Sequence, residues 1–234
     1  MFRRGKNQPN IKNANQFIAG FFGDKPISVK FTSNPNTFAR AYANRARRRH
    51  KQRWRIGGMG MKIGSQLQLG TSGRKHIIFV NKRPEMDVTK PTRMDLEETA
   101  AHEIFHAQFE RYRRTIGKRL VMDSSELAAY IASLDYIRLF EPEWYNKIIN
   151  AKIHQSPFYE KSSQFGSDVS VFIHSEFNPA QRREMIEELK NGNFSTRKQI
   201  TRWLLNKLKA NGSKQEEMLF KMEEYLKRKL VYLK

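Results

Sequence analysis

Cysteine is absent from all 234 residues. Disulfides, thiolate-bound zinc and cysteine nucleophiles are excluded with it, so any transition-metal site must be built from histidine and carboxylate. The absence is compatible with a reducing compartment. Long hydrophobic runs are also missing, and no stretch approaches the roughly 20 apolar residues of a membrane-spanning helix. The opening Met1-Phe2-Arg3-Arg4-Gly5-Lys6-Asn7-Gln8-Pro9 is basic, but the apolar run that follows, Phe17 to Phe22, is too short for a signal peptide. These features lead us to expect a cytoplasmic or virion-associated chain without a signal peptide or transmembrane segment. Hydrophobic residues make up only 38% and mean hydropathy is −0.74, yet 16 Phe and 8 Tyr argue against wholesale disorder.

Acidic residues are scarce in the first third. Residues 1–84 carry 19 Lys and Arg against the single acid Asp24, for a net +18, while residues 85–234 carry 25 against 22, for +3. The overall +21 is thus a property of the N-terminal part. Such a block points to a polyanionic partner: nucleic acid first, an acidic protein surface second, an anionic membrane third. Its densest run holds Arg45, Arg47, Arg48, Arg49, Lys51, Arg53 and Arg55 around Trp54. Arginines can pair with phosphates while the indole stacks on a base. A solvated helix face or an assembly contact accounts for the run equally well.

The remainder is organised around Glu97-Glu98-Thr99-Ala100-Ala101-His102-Glu103-Ile104-Phe105-His106-Ala107-Gln108-Phe109. Histidines four residues apart share a helix face and can grip one metal ion, for which zinc is the natural choice. Glu103 is placed to act on a water beside that ion. From Ala100 to Phe109 only His102, Glu103, His106 and Gln108 are polar, so the helix should be buried. Its acids lie in the first turns (Asp95, Glu97, Glu98) and Arg111, Arg113 and Arg114 near the end, as the helix dipole favours, with Gly117 a fitting stop. Core histidines bonded to neighbours are the competing explanation, but they leave the glutamate between them unexplained.

Twenty residues past His106 stands Glu126, near the start of a second helical pattern, Ser125 to Leu134. H-E-x-x-H with a glutamate at that distance resembles the gluzincins, the thermolysin-like clan of zinc metallopeptidases, over about residues 75 to 140. The resemblance implies Zn2+ held by His102, His106 and Glu126, with Glu103 as general base, and a peptide or protein substrate. It also implies an oxyanion-stabilising His or Tyr from later in the chain. Tyr130, His154, Tyr159 and His174 are available for that role. Many gluzincins carry Asp four residues after the ligand glutamate, where this chain has Tyr130. A different reading of Glu126 makes it the N3 residue of a capping box beginning at Asp123.

The expected fold is α+β: a zincin-like core of a small mixed sheet, the motif helix and a second ligand-bearing helix, followed by a helical C-terminal region. We divide the chain into a basic arm with the start of the sheet (1–60), the metal-binding core (61–155) and the helical region (156–234). Asn13 to Phe22 should form a short helix, Ile27 to Phe31 a strand, and Asn36 or Thr37 should cap a helix entering the arginine run. Residues 54–56, 59–63, 67–69 and, most strongly, 76–80 predict strands, with intervening glycines as turns. A strand just ahead of the motif helix, in zincin order, would offer its edge to an extended peptide. Helices are expected from Pro142, from Asn178-Pro179 to about Asn191-Gly192, from Ser195 to near Gly212, and from Ser213 to Leu230. Residues 169–174 read as a strand. Two functions follow: a zinc-dependent peptidase, or a nucleic-acid-associated or virion assembly protein that keeps the zincin fold.

Overall fold

The computed structural model describes residues 10–23, 26–32, 70–72, 77–81, 93–118, 122–154, 165–211 and 224. The arginine run, the helix expected to enter it, the strands expected at 54–56, 59–63 and 67–69, Tyr159 and all but Glu224 of the last expected helix lie outside them. Seven helices span 12 to 23 residues each: α1 Ile11–Phe22, α2 Arg93–Thr115, α3 Met122–Phe140, α4 Pro142–His154, α5 Phe165–Glu176, α6 Pro179–Asn191 and α7 Arg197–Asn211. Against them stand three strands of three to five residues, β1 Ser28–Thr32, β2 Gly70–Ser72 and β3 Ile77–Asn81. The described residues are mainly helical, which corrects the α+β expectation. Among the described residues the sheet has three short strands.

Its topology corrects a second point. The strand order is β1-β3-β2, with β1 parallel and β2 antiparallel to β3. The strand that precedes the motif helix is therefore central, and both its edges are already paired.

Two compact units divide the chain, residues 1–108 and 109–234, with the boundary inside α2. In the first, α1 buries Ala14, Ile18 and Phe21, a spacing that puts them on one face. Asn10 caps it by accepting from Asn13 N at 3.2 Å, and Gly23, in the left-handed region at φ 66°, closes it by donating to Ala19 O. The Asn15 amide then pairs with Ile27 as a strand would, accepting from its N–H at 2.7 Å and donating to its carbonyl at 3.0 Å. That fixes the chain entering β1.

In the second unit α3 is the core helix, with Leu127, Ile131, Leu134 and Ile137 essentially inaccessible, and it packs against α4, α5, α6 and α7. Residues 169–174, expected as a strand, belong to α5. Val169 to His174 are all buried, and a run buried on every side carries no period by which helix and strand could be told apart. The Asn178 cap is a full capping box with Gln181, followed by Pro179 at the first position. α7 begins at Arg197, two residues later than the expected Ser195. Thr196 Oγ1 accepts from Gln199 N at 3.3 Å while Gln199 Oε1 receives Thr196 N at 3.2 Å and Ser195 N at 2.6 Å.

Candidate metal centre

Helix α2 is enclosed as its sequence predicts. Ala100, Ala101, Ile104, Phe105 and Phe109 have no exposed surface, and Glu103 and His106 are each 3% exposed. Gly117, at φ 67°, ends it in a Schellman turn: Lys118 N donates to Arg113 O and Gly117 N to Arg114 O. Within the helix the imidazoles of His102 and His106 converge, with ring centroids 4.6 Å apart and their Nε2 atoms separated by 3.0 Å. Two nitrogens at that distance either share a proton or share a cation.

Glu126 completes a donor set. A nitrogen from each histidine and a carboxylate oxygen of Glu126 lie within 4.8 Å of one another, and the described residues contain no other such group. Tetrahedral zinc with Zn–N bonds of 2.0–2.1 Å needs its ligand atoms about 3.3 Å apart. The histidine pair is within about 0.3 Å of that distance, and the Glu126 oxygen lies within 4.8 Å of both. Two imidazoles and a carboxylate also match the softness zinc prefers, though they would hold other divalent ions. The residues present fit the ion. α3 begins at Met122, which puts Asp123 inside the helix instead of at its cap and Glu126 in the second turn. That start disfavours the capping-box reading of Glu126.

Tyr130 follows Glu126 by one turn on the same face of α3 and is half-buried. His174 has a different role. Its Nε2 lies 3.1 Å from Ile131 O, a group that only accepts, so Nε2 carries the proton, and Nδ1 accepts from Tyr145 Oη at 3.1 Å. Burial, and then the Arg182 guanidinium, push its pKa down to about 4, against the opposing pull of Asp135. Burial likewise raises the Tyr145 phenol above its ordinary value. With both ring nitrogens engaged and the ring neutral, His174 is a structural histidine, and it is not part of the metal-ligand group. The His154 side chain lies outside the described residues.

Three polar arrangements escaped the sequence reading. Glu97, expected to serve its own helix dipole, instead accepts from Asn10 N at 2.8 Å and places a carboxylate at the start of α1. Arg113 reaches the carbonyls of Lys190 at 3.2 Å and Gly192 at 2.7 Å, and Lys118 that of Asn191, so both cations close the C-terminus of α6. Burial lowers the Arg113 pKa, as expected for a cation taken out of water to cap another helix. Arg182 meets Asp135 through Nη2 at 2.6 Å and Nε at 3.2 Å, while its Nη1 donates to Phe177 O. Asp135 is the one acid in the apolar stretch Ile131 to Ile137, which is the signal that a buried partner was required.

Comparison of the chain with protein-family models, with curated proteins and with solved structures finds no match. The functional reading therefore rests on the site itself.

Proposed function

We propose that the chain is a zinc-dependent peptide hydrolase, with His102, His106 and Glu126 as ligands and Glu103 as general base. The observation that carries this reading is the convergence of three ligand atoms within 4.8 Å, two of them from histidines that flank a buried glutamate. When bound, zinc would supply Lewis acidity, polarising a peptide carbonyl and acidifying water. The chain's own residues do the rest. His102 and His106 present neutral imidazoles from one helix face, and Glu126 adds the negative charge that offsets a divalent ion. Glu103, one residue past the first ligand, takes the proton from the attacking water and returns it to the leaving amine. Tyr130, one helical turn past Glu126 on the same face, is the candidate to donate a hydrogen bond to the developing oxyanion.

Burial of Glu103 and His106 favours the reading further, because it strengthens the electrostatic interactions of the base and of one ligand, while His102 and Glu126 keep partial exposure. The excess of cation in residues 1–84 supports a polyanionic partner separate from the peptide substrate. Its cysteine-free, basic composition suits a cytoplasmic or virion-packaged enzyme.

Two measurements test the proposal. Purified protein should hold about one zinc per chain, lost in a His102→Ala/His106→Ala double variant and weakened in Glu126→Ala. Glu103→Gln should keep fold and metal but lose peptide hydrolysis by about a hundredfold or more, since the amide cannot take the proton. Equal hydrolysis by wild type and Glu103→Gln would leave a metal-binding protein without this activity. Metal content unchanged by the histidine substitutions would end the proposal altogether.

A further inference from the structure

Helix α1 grips the motif helix at two places. At the N-terminal end of α2, the buried Glu97 accepts from Asn10 N at 2.8 Å. Further along, the rings of Phe21 and Phe22 both stand edge-on to Phe105, with centroids 5.9 and 5.1 Å away. Glu97 precedes His102 by five residues, and Phe105 is one of the three residues between the two histidines. Phe105 has no exposed surface. At about 100° per residue its ring leaves the helix roughly 60° from His102 and 100° from His106.

The two contacts constrain different motions. A carboxylate holding a backbone N–H resists sliding of α2 along its axis. A ring set against two others resists rotation about that axis. Rotation is what a metal centre tolerates least. Imidazole nitrogens sit about 6 Å from the helix axis, so a roll of about 20° moves them about 2 Å. Ligand distances in a zinc site are held to about 0.2 Å. Nothing within the five-residue motif fixes its own roll, and the packing of Phe105 supplies the missing constraint.

We infer that α1 is a positioning element of the metal centre, acting through Phe22 on Phe105 and through Glu97. The inference rests on the metal-binding reading of His102 and His106. It assigns to Phe105 the setting of imidazole direction, beyond filling the core. Phe22 is the position to probe, because it is half-buried where Phe21 and Phe105 are buried, and its loss should leave the chain folded.

Zinc titration of the full chain, with the visible absorption of the cobalt-loaded protein as a report on ligand geometry, tests it. Phe22→Ala should weaken zinc binding about tenfold or more, as loss of a residue that orients a ligand does, and should reduce the cobalt bands. Phe22→Leu should recover part of both. Glu97→Ala should weaken binding in the same direction. Ile149→Ala, in the packed cluster of Leu134, Ile149 and Val171 on other helices, should lower melting temperature while leaving zinc affinity unchanged. If Phe22→Ala fails to fold, the leucine variant carries the same comparison. Wild-type affinity in Phe22→Ala or Phe22→Leu, or equal weakening in Ile149→Ala, would overturn the inference and leave the metal site standing. A wild-type chain that binds no zinc would overturn both.

Discussion

His174 is closed in by a carbonyl on one side and a phenol on the other, and those partners dictate a neutral ring. Protonation would place a third positive charge beside Arg182 and Arg138, against the one negative charge of Asp135, and would turn Nδ1 from an acceptor for the Tyr145 hydroxyl into a donor. The folded pKa of about 4 lies below the ordinary 6.5. Between those values the unfolded chain takes up a proton that the folded chain refuses. The stability contributed by the neutral ring is therefore complete above pH 6.5 and is lost as pH falls toward 4. From pH 7 to pH 5 this residue alone should remove about 2 kcal/mol, measurable by urea unfolding at the two values. His174→Gln, which cannot titrate, should show a correspondingly shallower dependence. A variant with the same slope as wild type would mean that the histidine is accessible to protons in the fold.

At the scale of elements, one buried ion pair bridges α3 and α6 and reaches the end of α5. Arg182, on α6, satisfies Asp135 on α3 and the carbonyls of His174 and Phe177 at the end of α5. Removing Arg182 takes the buried partner from Asp135, leaves it with the partly exposed Arg138 at 3.2 Å, and also removes the donor to the α5 carbonyls. Arg182→Met should therefore cost about 3–5 kcal/mol, read from denaturant midpoints, and Asp135→Leu added to it should recover part of the loss. If the double variant is no better than the single, the arginine acts through its carbonyl contacts alone. Gly192 is constrained differently. Its φ of −65° is open to any residue, but a Cβ there would lie 2.6 Å from Glu188 O and against the Phe194 ring. Gly192→Ala should cost about 1–3 kcal/mol by overpacking, visible as a lowered melting temperature.

These contacts also show which parts of the structure sequence could reveal. Local signals were legible. Asn178-Pro179 announced a capped helix, the polar residues at 102, 103 and 106 marked an enclosed motif helix, and Gly117 marked its stop. The histidine pair was readable because its four-residue spacing already encodes its geometry. What depended on partners far along the chain was hidden. Val169 to His174 looks like a strand until its surroundings are known, since burial on all sides erases the period. Glu97 and Arg113 looked like servants of their own helix dipole and instead close the ends of α1 and α6. Short apolar runs predict strands, but pairing across the chain decides which of them join a sheet, as Ile77 to Asn81 does with Ser28 to Thr32.

Over the whole molecule the dominant feature is charge. The +18 of residues 1–84 is a field acting on any polyanion, and the seven cations between Arg45 and Arg55 are its most concentrated source. If these bind nucleic acid, each phosphate contact displaces a counterion, so affinity should fall steeply with salt and depend little on base sequence. Replacing Arg45, Arg47, Arg48 and Arg49 with glutamine should lower the slope of log affinity against log salt by about three to four if all four touch phosphates, and by less for each that faces solvent. The proposed ligands His102, His106 and Glu126 lie outside this run, so a chelator should leave the binding unchanged while abolishing the proposed hydrolysis. Labelled DNA and RNA, titrated against both proteins at several salt concentrations with and without chelator, separate the outcomes. Binding with a reduced slope in the variant assigns the run to a phosphate backbone. An absence of binding at low salt removes nucleic acid from the partners and turns the same charge toward an acidic protein surface.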